Sequence, residues 1–220
     1  MIHSTAIIDP KVKISKNVQI GPYSVIGPNV EIGENTIIQS HVSISANTII
    51  GKGNKIYPFV SINDPQDLKY NGESTNLVIG DNNKIREYVT INPGTVGGGG
   101  KTVIGNNCLL MISSHIAHDC QVGNNVIIAN NVPLGGHAII EDNVVIGGNS
   151  AVQQFTRIGK MAMIGGQAGI SGHLKVGNNV HIGGGSGVIN DISDNTKVMG
   201  YPAKNLREFI KNNRWYTRQL

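Results

Sequence analysis

Aliphatic residues recur at every sixth position along most of this chain of 220 residues. The series runs over Ile8–Ile62, Ile79–Ile91 and Ile104–Val188, with short interruptions between these ranges. An α-helix has no period of six, because its apolar positions lie three and four residues apart. Twenty-eight hexads, each a short strand followed by a corner, predict an all-β fold. We expect a parallel β-helix with three strands to a turn and about nine turns.

Many of the periodic aliphatics are followed by glycine and, soon after, by asparagine or aspartate. Ile32-Gly33-Glu34-Asn35 and Ile104-Gly105-Asn106-Asn107 are examples. Glycine and asparagine adopt positive φ angles at a lower cost than other residues, so we expect tight corners there. Aromatic residues make up only 5% of the chain, which also favours a core of stacked aliphatic side chains.

Two segments break the hexads, and we expect both to leave the solenoid as loops. Residues 63–78 carry about eleven residues beyond the hexad frame, and residues 92–103, with four consecutive glycines, carry about seven. Loops that leave a solenoid on one face commonly build its binding site. The solenoid itself is predicted to span residues 1–195.

The C-terminal segment is predicted to close the solenoid. Residues 196–220 carry six basic residues and one acidic residue, whereas the rest of the chain is nearly balanced in charge. A short helix is expected from Lys204 onward. Leu206, Phe209 and Ile210 would share one face of this helix. Its basic residues either contact an acidic or phosphorylated partner or simply face solvent.

Several classes of location and partner find no support in the sequence. The first residues lack the basic segment followed by an apolar segment that a secretory signal needs, so we do not expect export. The chain nowhere approaches eighteen consecutive apolar residues, so we do not expect a membrane span. Cys108 and Cys120 lack the spacing of metal ligands, and we predict free thiols in the cytoplasm. Nucleic-acid binding is not expected, because the hexads carry no aromatic platform and no basic face.

One stretch, His115-Ile116-Ala117-His118-Asp119-Cys120, places two histidines and a carboxylate among the hexads. Residues eighteen apart lie in one column of such a solenoid, about 4.8 Å from each other. Gly136 should therefore stack on His118, and His137 on Asp119. A histidine beside a glycine has open space next to its ring and a backbone N–H facing that space. A general base and an oxyanion donor need this arrangement.

Two other interpretations apply to the same histidines. An isolated His118 would more often be a corner residue that bonds only to solvent, but the clustering of His115, His118 and His137 beside Asp119 favours a functional site. His115 and His118 also have a spacing that zinc ligands use. Because the cysteines are badly placed to complete such a set, we expect neither a metal nor another cofactor.

These residues lie in segments that resemble a known family, the acyl-carrier-protein-dependent UDP-N-acetylglucosamine O-acyltransferases of lipid A synthesis. The matching segments are Gln66-Asp67-Leu68-Lys69-Tyr70, Ile79-Gly80-Asp81, Ile85-Arg86-Glu87, Val89-Thr90-Ile91, Gly94-Thr95-Val96, Gly98-Gly99-Gly100 and Leu109 to Cys120. The resemblance includes both insertions and extends to about Gly166. It implies a left-handed parallel β-helix of hexapeptide repeats, assembled as a homotrimer with active sites between subunits.

The resemblance also implies roles for individual residues. His118 corresponds to the general base that deprotonates the sugar 3-hydroxyl, Asp119 to the acid that orients this imidazole, and the Gly136 N–H to the oxyanion donor. The sugar nucleotide would be held by Gln66, Asp67, Lys69, His115, His137 and Gln154. Gly166 would line the acyl-chain tunnel, where a missing side chain leaves room for a longer chain.

The implied function is transfer of a 3-hydroxyacyl chain from acyl carrier protein to the 3-position of UDP-N-acetylglucosamine, the first step of lipid A synthesis. Some features depart from the family. Asn92 and Gln153 stand where histidines are common, and residues 167–177 add about one turn that resembles the N-acyltransferase of the next lipid A acylation. Two alternatives therefore stay open. One is an N-acyltransferase on an amino-sugar nucleotide that uses acyl carrier protein or coenzyme A thioesters, and the other is a non-catalytic trimeric sugar-nucleotide-binding scaffold.

Overall fold

The computed structural model describes residues 1–66 and 70–213, and these residues wind into a β-solenoid. Their strands form three sheets of ten, nine and eleven strands, which gives about ten turns. The strands are β1 Ile7–Ile8, β2 Lys13–Ile14, β3 Gln19–Ile20, β4 Val25–Ile26, β5 Glu31–Ile32, β6 Ile37–Ile38, β7 Ser43–Ile44, β8 Thr48–Ile50, β9 Lys55–Ile56, β10 Ser61–Ile62, β11 Asn76–Ile79, β12 Lys84–Ile85, β13 Thr90–Ile91, β14 Lys101–Ile104, β15 Leu109–Leu110, β16 His115–Ile116, β17 Gln121–Val122, β18 Ile127–Ile128, β19 Pro133–Leu134, β20 Ile139–Ile140, β21 Val145–Ile146, β22 Ala151–Val152, β23 Arg157–Ile158, β24 Met163–Ile164, β25 Gly169–Ile170, β26 Lys175–Val176, β27 His181–Ile182, β28 Gly187–Val188, β29 Lys197–Met199 and β30 Lys204–Asn205. A 3-10 turn spans Val96–Gly98, and one α-helix, α1, spans Leu206–Asn212.

The hexad accounts for the three sheets. Each strand from β1 to β28 ends on one of the predicted periodic aliphatics. Except for β26 and β28, which end their sheets, each pairs in parallel with the strand of the next turn, as Ile26 does with Ile44. Successive side chains of a strand point to opposite faces, so the last residue of each strand enters the core while its neighbour faces outward. Ile44 and Ile128, for example, are almost fully buried. The predicted solenoid of three strands to a turn is confirmed.

The solenoid continues for one strand beyond the hexads. The hexads stop at Val188, yet β29 pairs in parallel with β27 and extends the third sheet. Strand pairing here needs only extended backbone beside a free edge, so a segment without the hexad pattern can still add to the solenoid. The described strands give about ten turns, close to the predicted nine.

Most corners are formed by a residue with a positive φ three positions after a core aliphatic. Asn35, with φ of 59°, is typical, and its side-chain oxygen accepts a hydrogen bond of 3.1 Å from Nδ2 of Asn17 on the preceding turn. Gly33 does not have a positive φ; instead, a Cβ on it would lie 2.5 Å from the carbonyl carbon of Gly51. Asparagine therefore supplies the corner conformation, whereas glycine here permits close stacking of turns. Positive φ is the wrong explanation for Gly33.

The C-terminal helix begins two residues later than predicted. Lys204 and Asn205 form β30, which pairs antiparallel with β29, and the Asn205 side chain then accepts a hydrogen bond of 3.0 Å from the Arg207 N–H as a helix N-cap. Phe209 and Ile210 are half-buried, and α1 packs against β29. Within the described residues, no helix has the length and apolar character needed to cross a membrane.

Candidate active site

Both loops and the histidine stretch share one edge of the solenoid. Strands β10, β13 and β16 are consecutive neighbours in the ten-stranded sheet. One loop follows β10, the other follows β13, and the corner after β16 carries His118 and Asp119. A cleft at this corner is lined by Pro65, Gln66, Tyr70, Glu73, Asn92, Pro93, Gly94, Thr95 and His118. The predicted ligand Gln66 thus lies in the same cleft as the predicted base.

His118 and Asp119 form a hydrogen-bonded pair. Nδ1 of His118 lies 2.8 Å from Oδ2 of Asp119. The carboxylate is almost fully buried, with 1% of its side chain exposed, whereas 33% of the imidazole is exposed. An ionised carboxylate can only accept, so this bond places a proton on Nδ1 and leaves Nε2 as the nitrogen that can take up a proton.

The surroundings of Asp119 keep it ionised. Burial alone would raise its pKa, but hydrogen bonds from Thr95 and His118 and the charge of His137 together hold the pKa of Asp119 below its ordinary value. Thr95 donates from its backbone N to Oδ1 at 2.8 Å and from Oγ1 to Oδ2 at 2.6 Å. Nε2 of His137 lies 3.8 Å from Oδ2. The carboxylate is therefore an anion beside His118 at neutral pH.

Gly136 stacks on His118 within the same chain, as the eighteen-residue spacing predicts. A Cβ placed on Gly136 would lie 2.6 Å from both Cε1 and Nε2 of the imidazole. Among the described residues, the Gly136 N–H has no protein acceptor. At the equivalent position of another corner, the N–H of Asn106 donates to Oδ1 of Asn124 at 2.9 Å. The corner at Gly136 thus presents a free donor beside the free nitrogen of the base.

Three other predicted ligands lie near this pair. His115 shares a hydrogen bond of 2.7 Å with Oγ1 of Thr90, and burial, with a smaller contribution from His118, lowers the pKa of His115. The His137 ring lies edge-on to His118 at 5.1 Å and stacks on the next aromatic ring of its column. Gln154 continues the column above Gly136 and is exposed. His115 and His137 thus place polar groups near the His118–Asp119 pair.

Other predicted residues are not brought to this corner. Gly166 follows β24, which belongs to the eleven-stranded sheet, so it lies at a different corner of the same chain. A Cβ on Gly166 would lie 3.0 Å from the Gly148 carbonyl oxygen. Asp67 and Lys69 lie outside the described residues, as do the last residues of the basic tail.

Neither cysteine has the properties of a nucleophile. Both thiols are buried and free, which confirms the prediction of free cysteines. Burial raises the pKa of Cys120 to about 12, and its thiol donates to the Gly135 carbonyl at 3.2 Å. One group of described side chains, His118, Asp119 and His137, could hold a metal, with ligand atoms within 4.8 Å of one another. Oδ2 of Asp119, however, already accepts hydrogen bonds from Thr95 and His118, and the predicted absence of a metal stays a prediction.

Comparisons with known proteins place this site in a family. The model of the bacterial transferase hexapeptide (six repeats) family matches residues 1–33, 11–46 and 101–132. The acyl-[acyl-carrier-protein]--UDP-N-acetylglucosamine O-acyltransferase of Thermodesulfovibrio yellowstonii is 54% identical over 127 residues, which are 57% of this chain and 49% of that protein. The same-named protein of Aliarcobacter butzleri is 51% identical over 163 residues, which are 74% of this chain and 63% of that protein. The structure of LpxA from Acinetobacter baumannii is 43% identical, with a TM-score of 0.78 over 96% of this chain and 76% of that chain.

The chain belongs to the UDP-N-acetylglucosamine O-acyltransferase family. This membership confirms the predicted resemblance, hexapeptide repeats included. A plant member, the UDP-N-acetylglucosamine acyltransferase of Arabidopsis, is also similar, at 30% identity with a TM-score of 0.70 over 100% of this chain and 78% of that one. The chain spans about half to somewhat less than two-thirds of the length of the curated O-acyltransferases it matches.

Two threonines contact Asp119 at the site of this O-acyltransferase family member, and the sequence does not predict either contact. Thr95 donates twice to the Asp119 carboxylate, and Oγ1 of Thr102 accepts the Asp119 N–H at 2.8 Å. The eighteen-residue spacing predicts contacts only between residues in the same hexad phase, and the insertion at residues 92–103 breaks this phase in the turn before Asp119. The sequence feature that could have predicted these contacts is the loop itself, because a glycine-rich insertion next to a predicted base is a candidate for shaping its pocket.

Proposed function

We propose that the chain transfers a 3-hydroxyacyl group from acyl carrier protein to the 3-hydroxyl of UDP-N-acetylglucosamine, the first step of lipid A synthesis. The proposed substrates are supported by the relatives named acyl-[acyl-carrier-protein]--UDP-N-acetylglucosamine O-acyltransferase. One observation carries the chemistry: the free Nε2 of His118 lies beside an N–H of Gly136 that has no acceptor among the described residues. A base and an oxyanion donor are the two groups that acyl transfer requires.

In the proposed reaction, Nε2 of His118 takes the proton from the sugar 3-hydroxyl as its oxygen attacks the thioester carbonyl carbon. A C–O bond forms, and the carbonyl oxygen becomes an anion that accepts a hydrogen bond from the Gly136 N–H. The C–S bond then breaks, and the imidazolium returns its proton to the departing thiolate. Asp119 stabilises the imidazolium in between through its contact with Nδ1.

Substrate contacts follow from the residues around the cleft. We propose that Gln66, His115, His137 and Gln154, together with Asp67 and Lys69, hold the sugar nucleotide. Gly166 would accommodate the acyl chain. Gly166 and His118 lie at different corners of one polypeptide. The proposed role of Gly166 therefore fits a homotrimer in which the acyl chain lies between two subunits. The two free, buried thiols are compatible with a cytoplasmic protein.

The test is an acyl-transfer assay of the purified protein with 3-hydroxyacyl carrier protein and UDP-N-acetylglucosamine, with the product measured by mass spectrometry. His118→Ala should lower kcat about 10²- to 10⁴-fold, the range expected for a general base. His41→Ala, an exposed histidine at another corner, is the matched control and should keep wild-type turnover. Undiminished turnover in His118→Ala would remove the base assignment.

The same assay separates the alternatives. A sugar nucleotide with an amino group at position 3 and acyl coenzyme A thioesters are offered in parallel. Preference for the amine would identify an N-acyltransferase, since the same base and oxyanion donor serve that reaction. Binding of the nucleotide without turnover of any pair would identify a scaffold.

A further inference from the structure

The glycine-rich loop after β13, residues 92–100, lies directly against Asp119. Thr95 contacts both oxygens of this carboxylate, from N to Oδ1 at 2.8 Å and from Oγ1 to Oδ2 at 2.6 Å. A Cβ on Gly98 would lie 2.2 Å from Cγ of Asp119, so the loop can approach this closely only as glycine. The loop therefore covers the carboxylate and leaves 1% of its side chain exposed.

The two bonds from Thr95 fix how the carboxylate faces His118. Oδ2 accepts from Oγ1 of Thr95 and from Nδ1 of His118 at 2.8 Å, while Oδ1 accepts from the Thr95 N–H. Rotation of the carboxylate would break at least two of these bonds. The main chain of Asp119 is also held, because its N–H donates to Oγ1 of Thr102 at 2.8 Å.

The loop is itself tied to the solenoid. The Asn76 N–H at the start of β11 donates to the Gly100 carbonyl at 2.9 Å, and the Gly94 N–H donates to the Asn76 carbonyl at 3.2 Å. Within the loop, the Thr95 carbonyl accepts from the N–H groups of Gly98 at 3.0 Å and Gly100 at 2.7 Å. These bonds hold Thr95 at a set distance from Asp119.

We propose that Thr95 is the positioning residue of the Asp119–His118 pair, which orients the carboxylate toward Nδ1 so that Nε2 remains the reacting nitrogen. The proposal deepens the proposed function, on which it rests for the role of His118 as the base. Thr95 acts through Asp119 and touches none of the reacting atoms in the mechanism above. Its hydroxyl is the part that a substitution can remove without moving the backbone donor.

Thr95→Val and Thr95→Ser test this in the transfer assay. Valine keeps the shape and the backbone N–H but removes the Oγ1 donor, so kcat should fall roughly 10- to 100-fold, as for loss of a hydrogen bond to a charged group, while KM changes less than threefold. Serine should restore kcat to within a few-fold of the wild type. The matched control is Thr36→Val, which loses a 2.9 Å hydrogen bond to the Gly51 carbonyl at a remote corner and should leave turnover unchanged.

A readout without substrate tests the same contact. The titratable groups that face Asp119 are His118 beside it, His137 from the next turn and the Cys120 thiol. In ¹³C NMR of the labelled carboxyl, assigned with Asp119→Asn, the pKa of Asp119 should be higher in Thr95→Val than in the wild type and in Thr95→Ser.

The outcomes separate the two proposals. If the pKa of Asp119 is raised in Thr95→Val but the wild-type protein transfers no acyl group, the positioning contact is upheld and the proposed function is refuted. An unchanged kcat, or an unchanged Asp119 titration, would overturn the role of Thr95 even if acyl transfer is confirmed.

Discussion

Replacing Gly136 by alanine should disable His118 without removing a single hydrogen-bonding group. The new Cβ would lie 2.6 Å from Cε1 and Nε2 of the imidazole and 3.2 Å from Nδ1. Unstrained contacts between such atoms are about 3.5–4.0 Å, so the two groups must separate by about 1 Å. The Gly136 carbonyl accepts from the Phe155 N–H at 2.9 Å, and the His137 N–H donates to the His118 carbonyl at 3.0 Å. Since these bonds hold the backbone, the half-exposed ring moves.

A ring displacement on the order of 1 Å is expected to cost about 100-fold in kcat/KM, because misplacement of a catalytic group by this distance costs about that much. It also lengthens the 2.8 Å bond from Nδ1 of His118 to Asp119. Alanine keeps the backbone N–H, so the oxyanion donor survives and the loss reports on the base. The thermal midpoint should change little, because the displaced ring can move toward solvent.

The measurement is steady-state transfer with carrier-protein thioester and sugar nucleotide, together with thermal unfolding. Gly169→Ala serves as the control for fold stability, because a Cβ there meets no atom within 4 Å. Wild-type turnover in a folded Gly136→Ala protein would refute the stacking argument, and with it the assignment of His118 as the base.

Two further predictions concern stability. The folded pKa of Asp119 lies below its ordinary value of 3.8, so its ionised form stabilises the fold above that pH, and this contribution is lost as the pH falls through the folded value. Thermal unfolding between pH 7 and pH 3 should therefore show a larger acid-induced loss for the wild type than for Asp119→Asn, and identical losses would contradict the hydrogen-bonded carboxylate. Ile128→Ala, at a buried core position, should lower the free energy of unfolding in urea by about 2–5 kcal/mol. Ile7→Ala, at a residue that is 66% exposed, should lower it much less, and equal losses would contradict the inward orientation of Ile128.

The periodic part of the fold follows from the sequence because one physical rule repeats. Each turn must bury one aliphatic per strand in register with the next turn, so the positions from Ile8 to Val188 determine the strands. The same count predicts that Gly136 stacks on His118, although the residues are eighteen apart. Such long-range contacts are predictable here because each turn of the solenoid without an insertion contains eighteen residues, which places residues eighteen apart on top of each other.

Contacts outside that count were not predictable. Thr95 reaches Asp119 through a loop of irregular length, whose path depends on bonds such as that from the Asn76 N–H to the Gly100 carbonyl. β29 extends the third sheet without a hexad, because a strand edge accepts any extended segment. A glycine such as Gly33 shows in the sequence only its small size. Whether its backbone conformation or a close contact requires glycine becomes visible only in the structure.

The constant circumference of the solenoid has a consequence for how such proteins change length. A segment of eighteen residues can be gained or lost beyond the site as one complete layer, and every remaining layer keeps its neighbours. Residues 167–177 belong to such a layer, through β25 and β26, and they leave the layer of His118 unaltered. Insertions of any other size must be extruded at a corner, as the two loops after β10 and β13 are. The solenoid can therefore lengthen only by whole turns, whereas the loops at the corner of His118 can differ in length.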